Sequence, residues 1–208
     1  MKIIKFLSAI CATFLIFASR TFAGPNLDSE TWISLRGEIV FPSDITGIGS
    51  SSDISADIAP GMRVGVLHGV NTNLIVEGEG FYNSTDLHVN GVKLATAQNF
   101  GISAGVQWRF LPRNMISPYA GAGAEGVFTS FKDLNASLIT SNIESEVAFG
   151  GYLNLGCDLF TTRDWALNIE SRYTEIYSTN MRRSDTGGVV GDYDTSHFSI
   201  IAGVRFRF

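Results

Sequence analysis

Apolar side chains recur at every second position over most of this chain, and the positions between them carry charge. In the segment 31–41, Ile33, Leu35, Ile39 and Phe41 alternate with Trp32, Ser34, Arg36 and Glu38. A period of two puts the two sets on opposite faces of an extended strand. The same pattern sets Ile58, Met62, Val64 and Val66 against Gly61, Arg63 and Gly65, and Leu74, Val76 and Tyr82 against Glu77 and Glu79. It sets Phe100, Ile102, Ala104, Val106, Trp108 and Phe110 against Asn99, Ser103, Gln107 and Arg109. In the second half, Ala120, Ala122, Ala124 and Phe128 oppose Tyr119, Gly121, Gly123 and Glu125. Val147, Phe149, Leu153, Leu155 and Leu159 oppose Glu146, Tyr152, Asn154 and Asp158. Leu167, Ile169, Tyr173 and Tyr177 oppose Asn168, Glu170 and Arg172, and the last segment sets Phe198, Ile200, Ala202, Val204, Phe206 and Phe208 against His197, Ser199, Gly203, Arg205 and Arg207. Eight strands are predicted, and after residue 23 no segment keeps a helical apolar period.

Alternation alone also describes a soluble sandwich. The chemistry of the two faces separates the alternatives. The polar face gathers Arg36, Arg63, Arg109, Arg172, Arg205 and Arg207 with Glu38, Glu77, Glu79, Glu125, Glu146, Asp158 and Glu170, while the opposite face is apolar or aromatic on every strand. Strands of ten or so residues suit a tilted bilayer crossing, and closing the sheet satisfies the backbone without water. The fold expected is therefore all-β: an eight-stranded, antiparallel, up-and-down transmembrane barrel. Eight strands enclose a lumen just wide enough for side chains, so its acids and bases should pair and close it to solutes. Short connections near 68–72, 111–117 and 161–165 alternate with long polar stretches at 42–56, 83–96, 132–143 and 178–194, the layout of short periplasmic turns and long outer loops. Phe41, Tyr82, Trp108, Phe110, Tyr119, Phe128, Phe160, Trp165, Tyr173, Tyr177 and Phe208 are expected to form two interfacial girdles.

At the N-terminus Lys2 and Lys5 precede an apolar run, and Thr21-Phe22-Ala23 offers a small-residue cleavage site. The run is too short to span a bilayer, so residues 1–23 are expected to be a cleaved signal peptide and 24–208 the barrel domain. Cleavage would leave the 20 acidic residues facing 12 of the 15 basic ones, an acidic exported protein. That balance, with charged residues at 17%, disfavours disorder and nucleic-acid binding. Cys11 would be removed with the signal, leaving Cys157 with no partner for a disulfide and no zinc spacing.

Motifs for chemistry are few. Gly121-Ala122-Gly123-Ala124-Glu125-Gly126 matches a dinucleotide fingerprint but lies inside an alternating strand, where small residues permit close packing instead. His197 and Ser199 repeat the His-x-Ser spacing of outer-membrane lipid A deacylases, yet their phase points them into the lumen, away from acyl chains. Asp185, Asp192 and Asp194 could approach a calcium ion, but acidic loops are more often merely solvated. No enzyme, cofactor or metal is expected.

The final strand, alternating to Phe206 and the terminal Phe208, looks like the terminal signature that barrel-insertion machinery reads. With Ser117-Pro118-Tyr119-Ala120-Gly121-Ala122-Gly123-Ala124, with Gly150-Gly151-Tyr152-Leu153-Asn154-Leu155-Gly156 and with Asn168-Ile169-Glu170-Ser171-Arg172-Tyr173-Thr174, it resembles the OmpA/OmpX-like outer-membrane β-barrel domain family, in particular its stand-alone surface antigens. The resemblance implies an outer-membrane, monomeric protein in contact with lipid and lipopolysaccharide, inserted through its last strand, with a host ligand at its long loops. A narrow channel for ions or small solutes is the alternative, and a lipid-modifying enzyme a more remote one.

Overall fold

A computed structural model describes residues 27–42, 54–89, 91–133, 143–145, 147–177, 179–183, 189–193 and 196–208. Eight long strands form the barrel: β1 (Thr31–Pro42), β3 (Ala59–Gly69), β4 (Leu74–Val89), β5 (Val92–Arg109), β6 (Ile116–Lys132), β8 (Ala148–Phe160), β9 (Trp165–Ile176) and β12 (His197–Arg207). Each is antiparallel to its neighbours in chain order, and β12 closes the cylinder against β1 with Ile33 opposite Phe206 and Phe41 opposite Phe198. The short strands β2 (Ile54–Ala56), β7 (Ile143–Ser145), β10 (Thr179–Arg183) and β11 (Val189–Tyr193) extend the sheet at one rim.

The register fixes the shape. Starting at Trp32, cross-strand partners run through Leu67, Glu77, Gly105, Gly123, Tyr152, Thr174 and His197 and return to β1 at Pro42, ten residues beyond the start. That offset is the barrel's shear. It tilts the strands, typically by about 35–45°, and makes each ring of side chains a climbing spiral.

Inward and outward positions alternate as the period-two pattern requires. Arg36, Arg63, Glu79 and Arg172 are buried, while Leu35, Val64, Ile102, Leu153 and Ile169 are exposed on the outer wall. Aromatics border that wall at two heights. Phe41 and Phe198 meet at 6.1 Å and Tyr82 and Phe100 at 4.7 Å on one side, and Trp165 and Phe206 at 5.4 Å on the other. Phe100 to Trp108, Trp165 to Tyr173 and Phe198 to Phe206 each span eight residues. This is about 26 Å along a strand and, with the tilt, about 20 Å of height, suited to a thin outer membrane. Two aromatics expected in the girdles belong elsewhere. Tyr119 and Phe160 are buried in the interior, because they share the inward phase of Arg109 and Asp158 and not that of Trp108.

The two rims differ. At one, turns of a few residues are pinned by their own side chains: the Asn71 carboxamide oxygen accepts from the amides of Asn73 and Leu74, and the Thr162 hydroxyl from those of Asp164 and Trp165. Here the chain before β1 folds under the barrel. The Ser29 amide donates to the Gly69 carbonyl and the Gly69 amide to that of Glu30, both at 2.9 Å, and Leu27 packs with Trp32, Leu67, Ile75, Phe160 and Ala166. A Cβ at Gly69 would overlap the Leu27 carbonyl oxygen, so only glycine lets this segment seat. At the other rim, the stretch 83–96 expected as a loop is a tall hairpin. β4 and β5 stay paired from Leu74–Trp108 to Val89–Val92, with a bulge at Leu87/His88 and the turn passing through Gly91 at φ 76°. Parts of 132–143 and 178–194 are likewise strand, in β6, β7, β10 and β11.

Candidate functional site

The lumen is filled by a single fused charge cluster. At its centre Arg172 donates to Glu79 at 3.0 Å and to Glu170 at 2.9 Å, and lies 3.8 Å from Glu77 and 3.9 Å from Glu125. Arg36 pairs with Glu79 and, at 2.8 Å, with Glu170. Towards the long-loop rim, Arg63 joins Glu38 at 2.9 Å, Glu125 at 3.4 Å and Glu79 at 3.7 Å. Towards the short turns, Asp158 is held between Arg109 at 2.5 Å and Arg205 at 2.7 Å. The side chains of Arg36, Arg63, Arg172 and their glutamate partners are wholly removed from solvent. Charges so placed persist only because each is paired, most of them with several opposite neighbours.

Neutral groups bind the cluster together. The hydroxyl of Tyr119 donates to Glu170 at 2.7 Å and that of Tyr152 to Glu77 at 2.8 Å. Gln107 donates to Glu77 at 2.5 Å and Asn168 to Asp158 at 2.7 Å. The Arg172 guanidinium stacks 4.1 Å from the Tyr152 ring centre and Arg63 4.5 Å from that of Phe81. The sequence placed Tyr119, Tyr152, Gln107 and Asn168 on the polar face without assigning them bonds, and left Phe81 unplaced; a shared phase with the charged positions is the signal for all five. Glycines make the room. A Cβ at Gly105 or Gly123 would strike Tyr152, one at Gly156 Tyr119, and one at Gly203 the Arg36 backbone. The glycine fingerprint at 121–126 thus serves packing inside β6, with Gly121 facing Asn154 and Gly123 facing Tyr152.

Apolar clusters flank the charges on both sides. The Leu27–Trp32 group lies towards the short turns, and Phe81, Val127, Ala148 and Ile176 lie towards the long-loop rim. Beyond the second cluster an uncharged ladder begins, with Thr129 donating to Asn99 and Asn99 to Asn83, both at 2.8 Å.

Outside, the sheet continues above the aromatic row Tyr82–Phe100–Phe128. The next outward rows are Ser84–Gln98–Ser130 and then Asp86–Thr96–Lys132. Asp86 accepts from Lys93 and Thr96, each at 2.8 Å, and these bonds hold its carboxyl below the ordinary carboxylate range.

Arg207, expected in the interior cluster, stands at the short-turn rim instead. It pairs with Asp164 at 2.6 Å and Glu30 at 3.4 Å, because the β12 spiral leaves the lumen after Arg205. Phe206 packs on Trp165 and Phe208 is exposed, its amide bonded to the Thr31 carbonyl. His197 and Ser199 are both buried on the inward face of β12. Cys157 sits in the outward phase of Leu153 and Leu155. Glu146, Asp185 and Asp194 lie outside the described residues, as does the expected signal segment 1–23.

No curated protein matches the sequence. Solved structures do match the fold. OprG of Pseudomonas aeruginosa is 17% identical with a TM-score of 0.73, covering 88% of this chain and 98% of its own. Neisserial surface protein A is 18% identical with a TM-score of 0.59, over 86% and 97%, and E. coli outer membrane protein W 18% identical at 0.56, over 87% and 98%. The outer membrane protein beta-barrel domain profile matches residues 9–206. A closed eight-stranded barrel with an apolar, aromatic-bordered outer wall and this match together place the protein in the outer membrane, and the chain belongs to the outer membrane protein beta-barrel domain family.

Proposed function

We propose that this protein is a sealed structural barrel of the outer membrane. Its short turns face the periplasm, and its long-loop rim meets the environment or a host partner. The observation that supports this most is the lumen: a fused, fully buried charge cluster lying between two apolar ones. A conducting path needs groups that a passing ion can pair with and leave, and every interior acid among the described residues already holds one or more guanidinium groups. The role carried at the rim is contact and not catalysis, and the monomeric chain would be delivered by insertion machinery that reads Phe206 and Phe208.

Planar-bilayer recording and liposome swelling test the seal. The barrel should show no conductance steps and no sugar-dependent swelling; stable steps that shift in selectivity on Glu79→Gln would replace this reading with a narrow channel. Cysteines at Asn90 or Ser137 should react with an impermeant thiol reagent on intact cells, and reaction only after the outer membrane is opened would invert the topology.

A further inference from the structure

Among the described residues the carboxylates and guanidinium groups of the lumen do not balance. Glu38, Glu77, Glu79, Glu125, Asp158 and Glu170 are buried with Arg36, Arg63, Arg109, Arg172 and Arg205, six acids against five arginines. The shortfall lies towards the long-loop rim. Asp158, near the short turns, is held between two arginines, whereas Glu38 pairs with Arg63 alone and shares it with Glu79 and Glu125.

The same end of the lumen carries oxygens that no described residue satisfies. Glu38 Oε2, Glu125 Oε1, Ser199 Oγ and Thr174 Oγ1 make no hydrogen bond, although Glu38 is 3% exposed, Glu125 2%, and Ser199 and Thr174 0%. Burying a polar atom without a bond is costly, and more so for a charged one. The register sets three of the four side by side. Ile201 is opposite Glu38 and Arg172 opposite Ser199, so Ser199 is a diagonal neighbour of Glu38 on one side and of Thr174 on the other. Diagonal neighbours across a sheet stand about 7–8 Å apart, too far for short side chains to touch. One hard cation at about 2.4 Å from each oxygen spans such a gap. His197, opposite Thr174, faces this end too and bonds none of the four oxygens.

We propose that the lumen binds one hard monovalent cation, of the sodium class, between Glu38 Oε2, Ser199 Oγ and Thr174 Oγ1, with the open oxygen of Glu125 adding its charge from across Arg63. Oxygen donors select a hard ion, and a deficit of one charge selects a monovalent one. A sealed lumen retains this ion as a structural counterion, so the inference rests on the seal proposed above.

The test refolds the whole barrel into phosphatidylcholine vesicles in N-methylglucamine chloride, whose cation is too large for the gap. Sodium chloride then replaces that salt at constant ionic strength, and the unfolding half-time at fixed temperature is read by gel mobility. The parent's half-time should lengthen with sodium, approaching about tenfold for each tenfold rise, as one site on the folded state requires. Thr174→Val and Ser199→Ala should each lose most of this dependence, while Ser171→Ala, which removes an exposed hydroxyl on the outward side of β9, should keep it. Each half-time is compared with the same variant's in N-methylglucamine, so a general loss of stability cancels. Equal half-times of the parent in the two salts overturn the proposal, because water or a proton then suffices at these oxygens. Sodium dependence unchanged in both Thr174→Val and Ser199→Ala overturns it as well, since the ion then sits elsewhere. Bilayer recording reads the seal on its own: conductance steps would overturn the counterion role even with the sodium dependence intact, and a silent barrel without that dependence would overturn the ion alone.

Discussion

The inner and outer faces of the same strands obey different rules. On β4, Glu77, Glu79, Phe81 and Asn83 point inward, and each has an identifiable partner on another strand: Gln107 and Tyr152, Arg172, Arg63, and Asn99. One residue away, Val76, Gly78, Gly80 and Tyr82 face outward, where the requirement is only that the side chain be compatible with lipid. An inward position is thus defined by a particular neighbour and an outward one by a chemical class. Substitutions that preserve class should be tolerated outside and fail inside.

The largest effect should come from breaking the interior at its most connected member. Arg172→Met keeps bulk but leaves Glu77, Glu79, Glu125 and Glu170 around an uncharged side chain. Removing one partner of a buried ionic group typically costs about 3–5 kcal/mol, measurable by urea unfolding in vesicles. Replacing a single acid along with it should recover only part, because four acids surround Arg172 and three of them also face another arginine: Glu79 alone touches Arg36, Arg63 and Arg172, and Glu125 and Glu170 are shared as well. Full recovery by one double mutant would show that the cluster behaves as separate pairs and weaken the contrast drawn between the faces.

The next effect breaks the outer face by changing its class. Leu153 lies four residues from Phe149, close to mid-depth, whereas Ile102 is two residues below Phe100 and nearer the border. Leu153→Arg should cost about 2–4 kcal/mol and Ile102→Arg less, while Leu153→Met should be nearly silent. Equal costs for the two arginines would refute the depth assigned from the aromatic rows.

How much of this could be read from the sequence follows from the same contrast. The period of two identified the strands and assigned Arg36, Glu38, Arg63, Glu77, Glu79, Arg109, Glu125, Asp158, Glu170, Arg172 and Arg205 to one face, because lipid enforces an uninterrupted apolar set on the other. Which acid meets which base was not legible. Arg36 reaches Glu170 on β9 and Glu79 on β4 through a shear of ten residues, and no single strand records that offset. The residues 83–96 looked like a loop for a related reason. Above the hydrocarbon edge the outward face is free to be polar, so Ser84, Asp86, Gln98 and Thr96 erase the alternation although the backbone pairing continues. Tyr119 and Phe160 were misplaced because an aromatic ring near a strand end reads as a border residue, although Tyr119 shares the phase of Glu125 and Arg109, and the room over Gly156 receives its ring.

The smallest expected effect asks whether an inward position without charge also needs its particular neighbours. Leu27 is inward and apolar, seated beneath Trp32 by the Ser29–Gly69 and Gly69–Glu30 hydrogen bonds, with Arg207 tying Glu30 and Asp164 together at the same rim. If apolarity alone mattered there, as it does outside, Leu27→Ala would lose little. If the fit under the indole matters, the truncation should cost about 2 kcal/mol, the low end for a buried leucine, since a short segment at the barrel's end can partly relax. Trp32 is the local reporter: with Trp108→Phe and Trp165→Phe removing the two lipid-facing indoles, its fluorescence should be weakly quenched by acrylamide in the parent and clearly more so in Leu27→Ala. Unchanged quenching with unchanged stability would mean that the segment before β1 merely rests against the barrel, and that partner-defined packing begins only at the charged cluster above it.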